Sequence, residues 1–381
     1  MENKIIKVDD YVNHKNQSKG GEIKIKRNPG IDLVRLISMF SIVLNHLIFF
    51  AKGYSHFPKY KRQISLIHSM TDWKNNGFIL ISGVVGYKSH KYSNLLYLWL
   101  TVIFYSVGIH QYVLYFKKGY IEHHDLYKEY FPVIFNRYWY FSTYFGMYLL
   151  LPVINKGIAS LNKFEFRIIV LSTIGILVLW KDYKNPKQDL FHMKNGYSLI
   201  WFIIFYLTGA YIGKYRFEYS GKKKYIYCII CLSIYSLASY LYFKAYHHEL
   251  YNIPISLRQM LTNRFNSLLK IIQSITVFLF CEQINYNKFI AKIICFTGPL
   301  VFSIYLIHNH RLIHHNVINH LFDKQPKILS LNSVLFLIIG KTLKIMIICI
   351  IIDYFRNLLF TLIRIKKTLI FIEKKIKEKF I

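Results

Sequence analysis

Long apolar runs alternate with short polar loops along most of this chain. Residues 92–116, 138–155, 195–213 and 225–243 contain no Asp, Glu, Lys or Arg. Each run has roughly the 18–20 residues that an α-helix needs to cross the core of a bilayer. The pattern therefore predicts an all-α, polytopic membrane protein rather than an ordinary soluble enzyme or a disordered chain.

About ten transmembrane helices are predicted from these and weaker apolar runs. They lie at about residues 31–51, 75–87, 94–116, 138–155, 166–180, 197–213, 225–243, 265–281, 293–308 and 332–352. Ten spans place both termini on one side of the membrane. That side collects 28 Lys and Arg residues against about 20 on the other. An excess of positive charge marks the cytoplasmic side, so we expect both termini to be cytoplasmic.

The same pattern divides the chain into three regions. A polar, basic tail at residues 1–30 lacks the apolar core of a signal peptide. One transmembrane domain follows at residues 31–355. Residues 356–381 form a basic tail with amphipathic spacing, which we expect to lie on anionic lipid of the inner leaflet.

Composition narrows the choice of partners. The 381 residues are 54% hydrophobic and carry 50 Lys and Arg against 19 Asp and Glu, a net charge of +31. In a soluble protein this excess would indicate nucleic acid. Here the basic residues lie in loops and tails, which indicates membrane lipid and no nucleic acid. All five cysteines lie in apolar runs, and Cys228-x-x-Cys231 has no second pair, so we expect no metal site.

The first predicted span carries two residues that point to chemistry. Arg35 and His46 are 11 positions apart. That spacing is about three helical turns, so both side chains share one face, separated by about 16 Å along the axis. An ionisable residue at the depth of His46 is either hydrogen-bonded to a neighbouring helix or functional. Arg35 alone is typical of an interfacial anchor.

Together the two residues fit an acyl-transfer reaction. A histidine can take a proton from a hydroxyl group or accept an acyl group. An arginine at the other end of the same helix face can hold a phosphorylated cofactor. Coenzyme A has the required shape, with phosphates at one end and a thiol on a long arm.

Residues 27–46, RNPGIDLVRLISMFSIVLNH, resemble the opening helix of the acyltransferase family 3 membrane proteins. Arg35 and His46 meet that family's Arg-x10-His signature. Residues 78–86, 138–152 and 298–308 resemble three later family segments in the same order. The resemblance covers about residues 27–355. It implies a multi-pass enzyme of the bacterial plasma membrane that uses cytoplasmic acetyl-CoA. Its acceptor would be a hydroxyl group of a surface polysaccharide, such as a capsule, or of the lipid-linked precursor.

The resemblance assigns roles to a small set of residues. His46 acts as a general base or as a transient acyl carrier, and Arg35 binds the phosphates of CoA. Many relatives carry an Arg-rich stretch after the second helix, where this chain has Lys88-Ser-His-Lys91. Lysine pairs with phosphate as a point charge, without the bidentate fork of arginine. Lys88 and Lys91 are therefore candidates for the same CoA site.

Other candidates have both a chemical and a structural interpretation. Ser82, beside Gly83, could place backbone donors on the thioester oxygen or serve helix packing. Tyr305 and His308 share a face and either line the acceptor pocket or support His46, or form an aromatic pair at the membrane interface. Trp139 either stacks on a sugar or on the cofactor, or anchors the protein at the membrane interface. Asp32 either caps the first helix or pairs with Arg35.

Two other functions remain open on the sequence. A glycan transporter or flippase would show paired intramembrane charges or inverted repeats, and neither is evident, although Lys341 and Lys344 fall inside the tenth span. A membrane glycosyltransferase would need an acidic residue at the mouth of an outward loop, for which Asp72 is a candidate. The histidine-dense stretch at residues 308–315 has no carboxylate before Asp323, so no metal is expected there.

Overall fold

The computed structural model describes residues 27–116, 126–180, 189, 191–216, 219–250, 253–262, 265–326 and 328–380, and within them the chain is helical without a strand. The longer helices are α1 Pro29–Phe49, α2 Lys61–Thr71, α3 Lys74–Gly86, α4 Tyr92–Phe116, α5 Trp139–Ser160, α6 Lys163–Ser172, α7 Leu199–Tyr215, α8 Gly221–Tyr246, α9 Leu268–Gln283, α10 Lys288–His308, α11 Leu331–Leu362 and α12 Ile365–Phe380. A π-helical segment, Thr173–Trp180, continues α6. Most of the predicted tail at residues 1–30 falls outside the described residues.

A helix occupies each of the ten predicted spans, which confirms an all-α membrane protein. Within the described part of the chain, five helices are long and apolar enough to cross a membrane: α1, α4, α8, α10 and α11. Helix α7 is apolar but shorter. Helix α2 lies between the first two predicted spans, in a segment that the pattern predicts as a loop.

Helix α11 runs ten residues beyond the predicted end of the tenth span, to Leu362. Asp353 and Arg356, which interrupt the apolar run, lie one turn apart and pair at 2.8 Å. Both are buried, and Tyr105 donates to Asp353 at 2.7 Å. The expectation that no paired charges lie among the spans is therefore wrong here. Mutual neutralisation lets the helix continue through these residues and past position 356, where the predicted tail begins.

Glycines allow a close helix contact between α3 and α7. A Cβ atom at Gly83 would lie 2.1 Å from the carbonyl oxygen of Tyr206. One at Gly209 would lie 2.1 Å from the carbonyl oxygen of Leu80. Small residues let two helix backbones approach this closely in a membrane protein. Gly83 therefore serves helix packing, one of the two interpretations of the Ser82-Gly83 segment.

Loops that the ten-span pattern puts on one side meet at what we call the Arg35 end. The Asn155 side chain donates to the carbonyl of Gly86 at 2.9 Å, which joins the end of α5 to the end of α3. Glu373 of α12 accepts from the backbone N–H of Ser93 at 3.0 Å. The C-terminal helix thus packs beside the start of α4.

The longer loops meet at the opposite end, which we call the His46 end. Arg62 of α2 pairs with Glu249, beyond the end of α8, at 2.6 Å. The backbone N–H of Phe265 donates to the carbonyl of Asn195 at 3.0 Å, which joins the segments before α9 and α7. The connections alternate between the two ends, as the ten-span pattern requires.

Candidate functional site

His46 lies in the last turns of α1 and forms a pair with His308 at the end of α10. Nδ1 of His46 is 3.0 Å from Nε2 of His308. Nδ1 of His308 is 2.5 Å from the carbonyl oxygen of Ile304. A carbonyl only accepts, so Nδ1 of His308 carries a proton, and Nε2 of neutral His308 accepts from the Nδ1–H of His46. This network assigns a lone pair to Nε2 of His46, the form that a base or nucleophile needs.

The histidine-dense stretch after α10 divides among different partners. His308 contacts His46, whereas His310 bonds the carbonyl of Ser106 at 3.2 Å. The ring of His314 lies 6.2 Å from the ring of His46. Burial lowers the pKa of His310 to about 4 and also lowers the pKa of His314. His314, which lies beside His46, is therefore neutral at neutral pH.

A cavity of about 680 Å³ opens beside His46 at the His46 end. Two of the predicted acceptor residues, Trp139 and Tyr305, line it. The Trp139 ring lies parallel to Phe265, with centroids 5.9 Å apart, and 4.6 Å from the ring of Tyr197. This aromatic wall is suited to contact with a sugar ring. We call this space the His46 cavity.

A second cavity, of about 390 Å³, is lined by Arg35, Arg27 and Ser82 at the Arg35 end. Arg27 donates to both oxygens of buried Asp32, at 2.8 and 2.7 Å, and Arg35 donates to the same carboxylate. The N-cap of α1 is Asn28, so Asp32 takes the pairing role rather than the capping role. Two guanidinium groups therefore share one carboxylate at this space, which we call the Arg35 cavity.

Three aromatic residues, Phe78, Tyr140 and Phe302, line both cavities. The Phe78 and Tyr140 rings lie 6.4 Å apart between centroids. The two cavities therefore adjoin at one aromatic boundary, with Arg35 on one side and His46 on the other. Sequence reasoning missed this boundary because its residues come from three separate helices.

The remaining predicted CoA residues take different positions. Ser82 lines the Arg35 cavity while its hydroxyl donates to the Phe78 carbonyl at 2.8 Å. Lys88 and Lys91 are exposed and are not among the residues that line this cavity. The loop still reaches it, because Ser89 is a lining residue.

A buried charged cluster lies in the His46 cavity around Asp72, which the sequence offered only as a candidate for the glycosyltransferase alternative. Asp72 accepts from Lys74 Nζ and from Lys270 Nζ, both at 2.5 Å, and from the hydroxyl of Tyr242 at 3.1 Å. Burial raises the pKa of Asp72, but Lys270 and Lys74 outweigh it and hold that pKa well below its usual range. His68 Nε2 lies 3.6 Å from the same carboxylate. Lys270 comes from a span almost 200 positions away, so no local spacing could reveal the cluster.

Comparison with known proteins gives one family. A sequence-family model, described as an acyltransferase domain, matches residues 28–354. The match begins one position before α1 and ends within α11, so it includes both histidines of the pair and the cluster around Asp72. No curated protein and no solved structure matches the chain.

Proposed function

This chain belongs to acyltransferase family 3 and is a membrane acyltransferase, and we propose that it moves acetyl from cytoplasmic acetyl-CoA to a glycan hydroxyl. The acceptor would be a bacterial surface polysaccharide or its lipid-linked precursor. The observation that carries the proposal is the arrangement of α1, which presents Arg35 to one cavity and His46 to the other.

The Arg35 cavity would hold the phosphates of CoA. Arg27 and Arg35 bring two guanidinium groups to one carboxylate, so the described charges there favour an anion. Guanidinium groups bind phosphate through paired N–H donors. Arg35 and His46 are separated by about 16 Å along the helix, a distance that the thin arm of CoA would cover past the aromatic boundary.

His46 would then act through Nε2. In a direct transfer, Nε2 takes the proton of the acceptor hydroxyl as its oxygen attacks the thioester carbonyl. The carbon–sulfur bond breaks, and the thiolate receives that proton. The Nδ1–H group of His46 stays hydrogen-bonded to His308 throughout, and this bond stabilises the imidazolium that forms. His308 thus has the role of the third residue of a catalytic triad, which orients the base.

The alternative route uses the same nitrogen as a nucleophile. Nε2 attacks the thioester carbonyl, the carbon–sulfur bond breaks, and the thiolate leaves and takes a proton from solvent. The acceptor hydroxyl then attacks the acetyl carbon, the bond from that carbon to Nε2 breaks, and the hydroxyl proton passes through Nε2 back to solvent. The two routes differ in whether acetyl-enzyme forms without an acceptor. Rapid quenching with sodium dodecyl sulfate at neutral pH, after mixing with labelled acetyl-CoA alone, distinguishes them. Only the second route leaves label on the protein, and that label should be lost quickly on acidification because acyl-imidazoles are acid-labile.

The cluster around Asp72 disfavours the glycosyltransferase alternative. A catalytic base must be able to take up a proton near neutral pH. Two lysines hold the pKa of Asp72 far below that range. For a transporter, paired intramembrane charges are the relevant feature. Asp353 and Arg356 line neither cavity, whereas Arg35 and Lys270, which pair with Asp32 and Asp72, each line one. The deletion-strain experiment below decides between transport and transfer.

The test is O-acetylation of the surface glycan in a deletion strain. The strain is restored with wild type, His46→Ala or His315→Ala, an exposed histidine that serves as the matched control. Proton NMR of the purified polysaccharide, before and after mild base, reports O-acetyl groups. We expect the signal to return with wild type and His315→Ala but not with well-expressed His46→Ala. Unchanged O-acetylation on deletion, with altered glycan amount or chain length, would refute the proposal.

A further inference from the structure

The cluster around Asp72 carries more positive than negative charge where the acceptor would enter. Lys74 and Lys270 each contact one oxygen of Asp72, and all three line the His46 cavity. All three are buried: Lys74 and Asp72 each have 7% of their surface exposed, and Lys270 has 2%. Among the described residues that line this cavity, Asp72, Lys74 and Lys270 are the formally charged side chains at neutral pH. Neighbouring His68 is neutral there, because burial lowers its pKa to about 4.

Burying two ammonium groups is costly, and a single carboxylate offsets one of the two charges. One lysine would be enough for a structural ion pair with Asp72. The second leaves the described side chains at this cavity with a net charge of +1. The Arg35 cavity repeats the arrangement, since Arg27 and Arg35 share Asp32. In both places two cations meet one carboxylate, an arrangement that favours an anionic ligand.

The cluster also adjoins the aromatic wall. Lys74 Nζ lies 5.8 Å and Lys270 Nζ 5.9 Å from the centroid of the Phe265 ring, which is parallel to Trp139. A sugar ring packed on this wall would place an acidic substituent within reach of both ammonium groups. His46 lines the same cavity, so the hydroxyl to be acylated would belong to that sugar or to its neighbour.

We propose that the acceptor is an acidic glycan, whose carboxylate or phosphate group binds Lys74 and Lys270 while a nearby hydroxyl reaches His46. This inference rests on the proposed function and adds the chemical class of the acceptor. It assigns the two lysines to acceptor binding and leaves donor binding to the Arg35 end.

The first arm of the test uses wild-type protein in membranes with labelled acetyl-CoA. The acceptor is the cell's own surface polysaccharide, stripped of O-acetyl groups by mild base. Portions are left untreated, reduced at their carboxyl groups, or dephosphorylated with cold hydrofluoric acid. We expect one treatment to raise the acceptor KM about tenfold or more, the size of losing a hydrogen bond to a charged group. The treatment that does so identifies carboxylate or phosphate.

The second arm uses Lys74→Gln, Lys74→Arg and Lys270→Gln. The glutamine variants should raise the acceptor KM about tenfold, leave the acetyl-CoA KM unchanged and respond less to the acceptor treatment. Lys74→Arg keeps the charge and should restore most of the binding. Lys214→Gln is the matched control, because Lys214 bonds the carbonyls of Ile158 and Leu161 at the Arg35 end.

The outcomes separate this inference from the proposed function. If wild type transfers acetyl equally well to the native, reduced and dephosphorylated acceptors, the acidic-glycan inference is wrong while the acetyltransferase stands. The same holds if a folded Lys74→Gln protein shows an unchanged acceptor KM. If wild type transfers no acetyl to any of the three polysaccharides, nor to the lipid-linked precursor in the same membranes, the proposed function itself fails.

Discussion

Replacing His308 tests whether the histidine pair performs the chemistry that its hydrogen bonds indicate. His308→Ala removes the acceptor that holds the Nδ1 proton of His46 at 3.0 Å. Without it, the proton is free to move to Nε2, where it blocks both the base and the nucleophile. The bond also strengthens when His46 becomes charged in the transition state, which is the condition for a bond to lower a barrier.

The magnitude follows from the kind of bond that is lost. A hydrogen bond to a charged group contributes about 1.5–3 kcal/mol. If that energy is realised only in the transition state, its loss lowers kcat by roughly 10- to 150-fold. His308→Gln offers an amide oxygen as a replacement acceptor and should recover part of the rate. The acetyl-CoA KM should not change, because the Arg35 cavity lies beyond the aromatic boundary.

The assay is transfer from labelled acetyl-CoA to the de-O-acetylated glycan, with kcat and both KM values measured for each variant. Each variant is solubilised in detergent and its elution in size-exclusion chromatography is compared with that of the wild type. An unchanged elution excludes misfolding as the cause of a lower rate. A folded His308→Ala protein with normal kcat would refute the assigned proton positions. So would a variant whose loss lies wholly in the acetyl-CoA KM.

Three further outcomes are expected. Arg35→Gln should raise the acetyl-CoA KM about tenfold and leave the acceptor KM unchanged, in the same assay. Gly209→Ala should lower the melting temperature, because its Cβ would meet the Leu80 carbonyl at 2.1 Å, whereas Gly340→Ala, which meets nothing within 4 Å, should not. Burial raises the pKa of Glu373, but hydrogen bonds from Ser93 and Lys377 lower it to about 2, against an ordinary 4.5. Because the pKa of Glu373 is lower in the folded protein, α12 should stay packed above pH 4.5 and detach as the pH falls towards 2. Proteolysis of the C-terminal helix by an acid-active protease measures the detachment. In Glu373→Gln, this proteolysis should not depend on pH.

Most of the helical framework could be predicted because charge marks where apolar runs end. Helix α4, for example, begins two residues before the predicted span and ends with it. Helix α11 extends beyond the predicted end of the tenth span. A hydropathy pattern counts Asp353 and Arg356 each as a break, whereas in the structure the two residues neutralise each other. The Arg35–His46 axis was predictable because both residues belong to one helix, so the helical repeat fixes their relation.

The residues that complete the candidate site could not be predicted in the same way. Lys270 meets Asp72 only because α9 packs near α3, and nothing in the spacing of either segment records that contact. His308 was predicted either to line the acceptor pocket or to support His46. Its position 3.0 Å from Nδ1 of His46 favours support, although its role in catalysis stays a prediction.

The two cavities explain how one helix could serve substrates from opposite sides of a membrane. Each cavity pairs two cations with one carboxylate, and His46, paired with His308, lines one of the two cavities. Anionic groups on the donor and the acceptor would therefore be held far apart, at opposite ends of α1, while their uncharged reacting parts meet at His46. Phe78, Tyr140 and Phe302, which line both cavities, would be the residues that the thioester arm passes. Under the proposed function, the acetyl group would cross this boundary while the glycan stays in the His46 cavity, whichever of the two routes His46 follows.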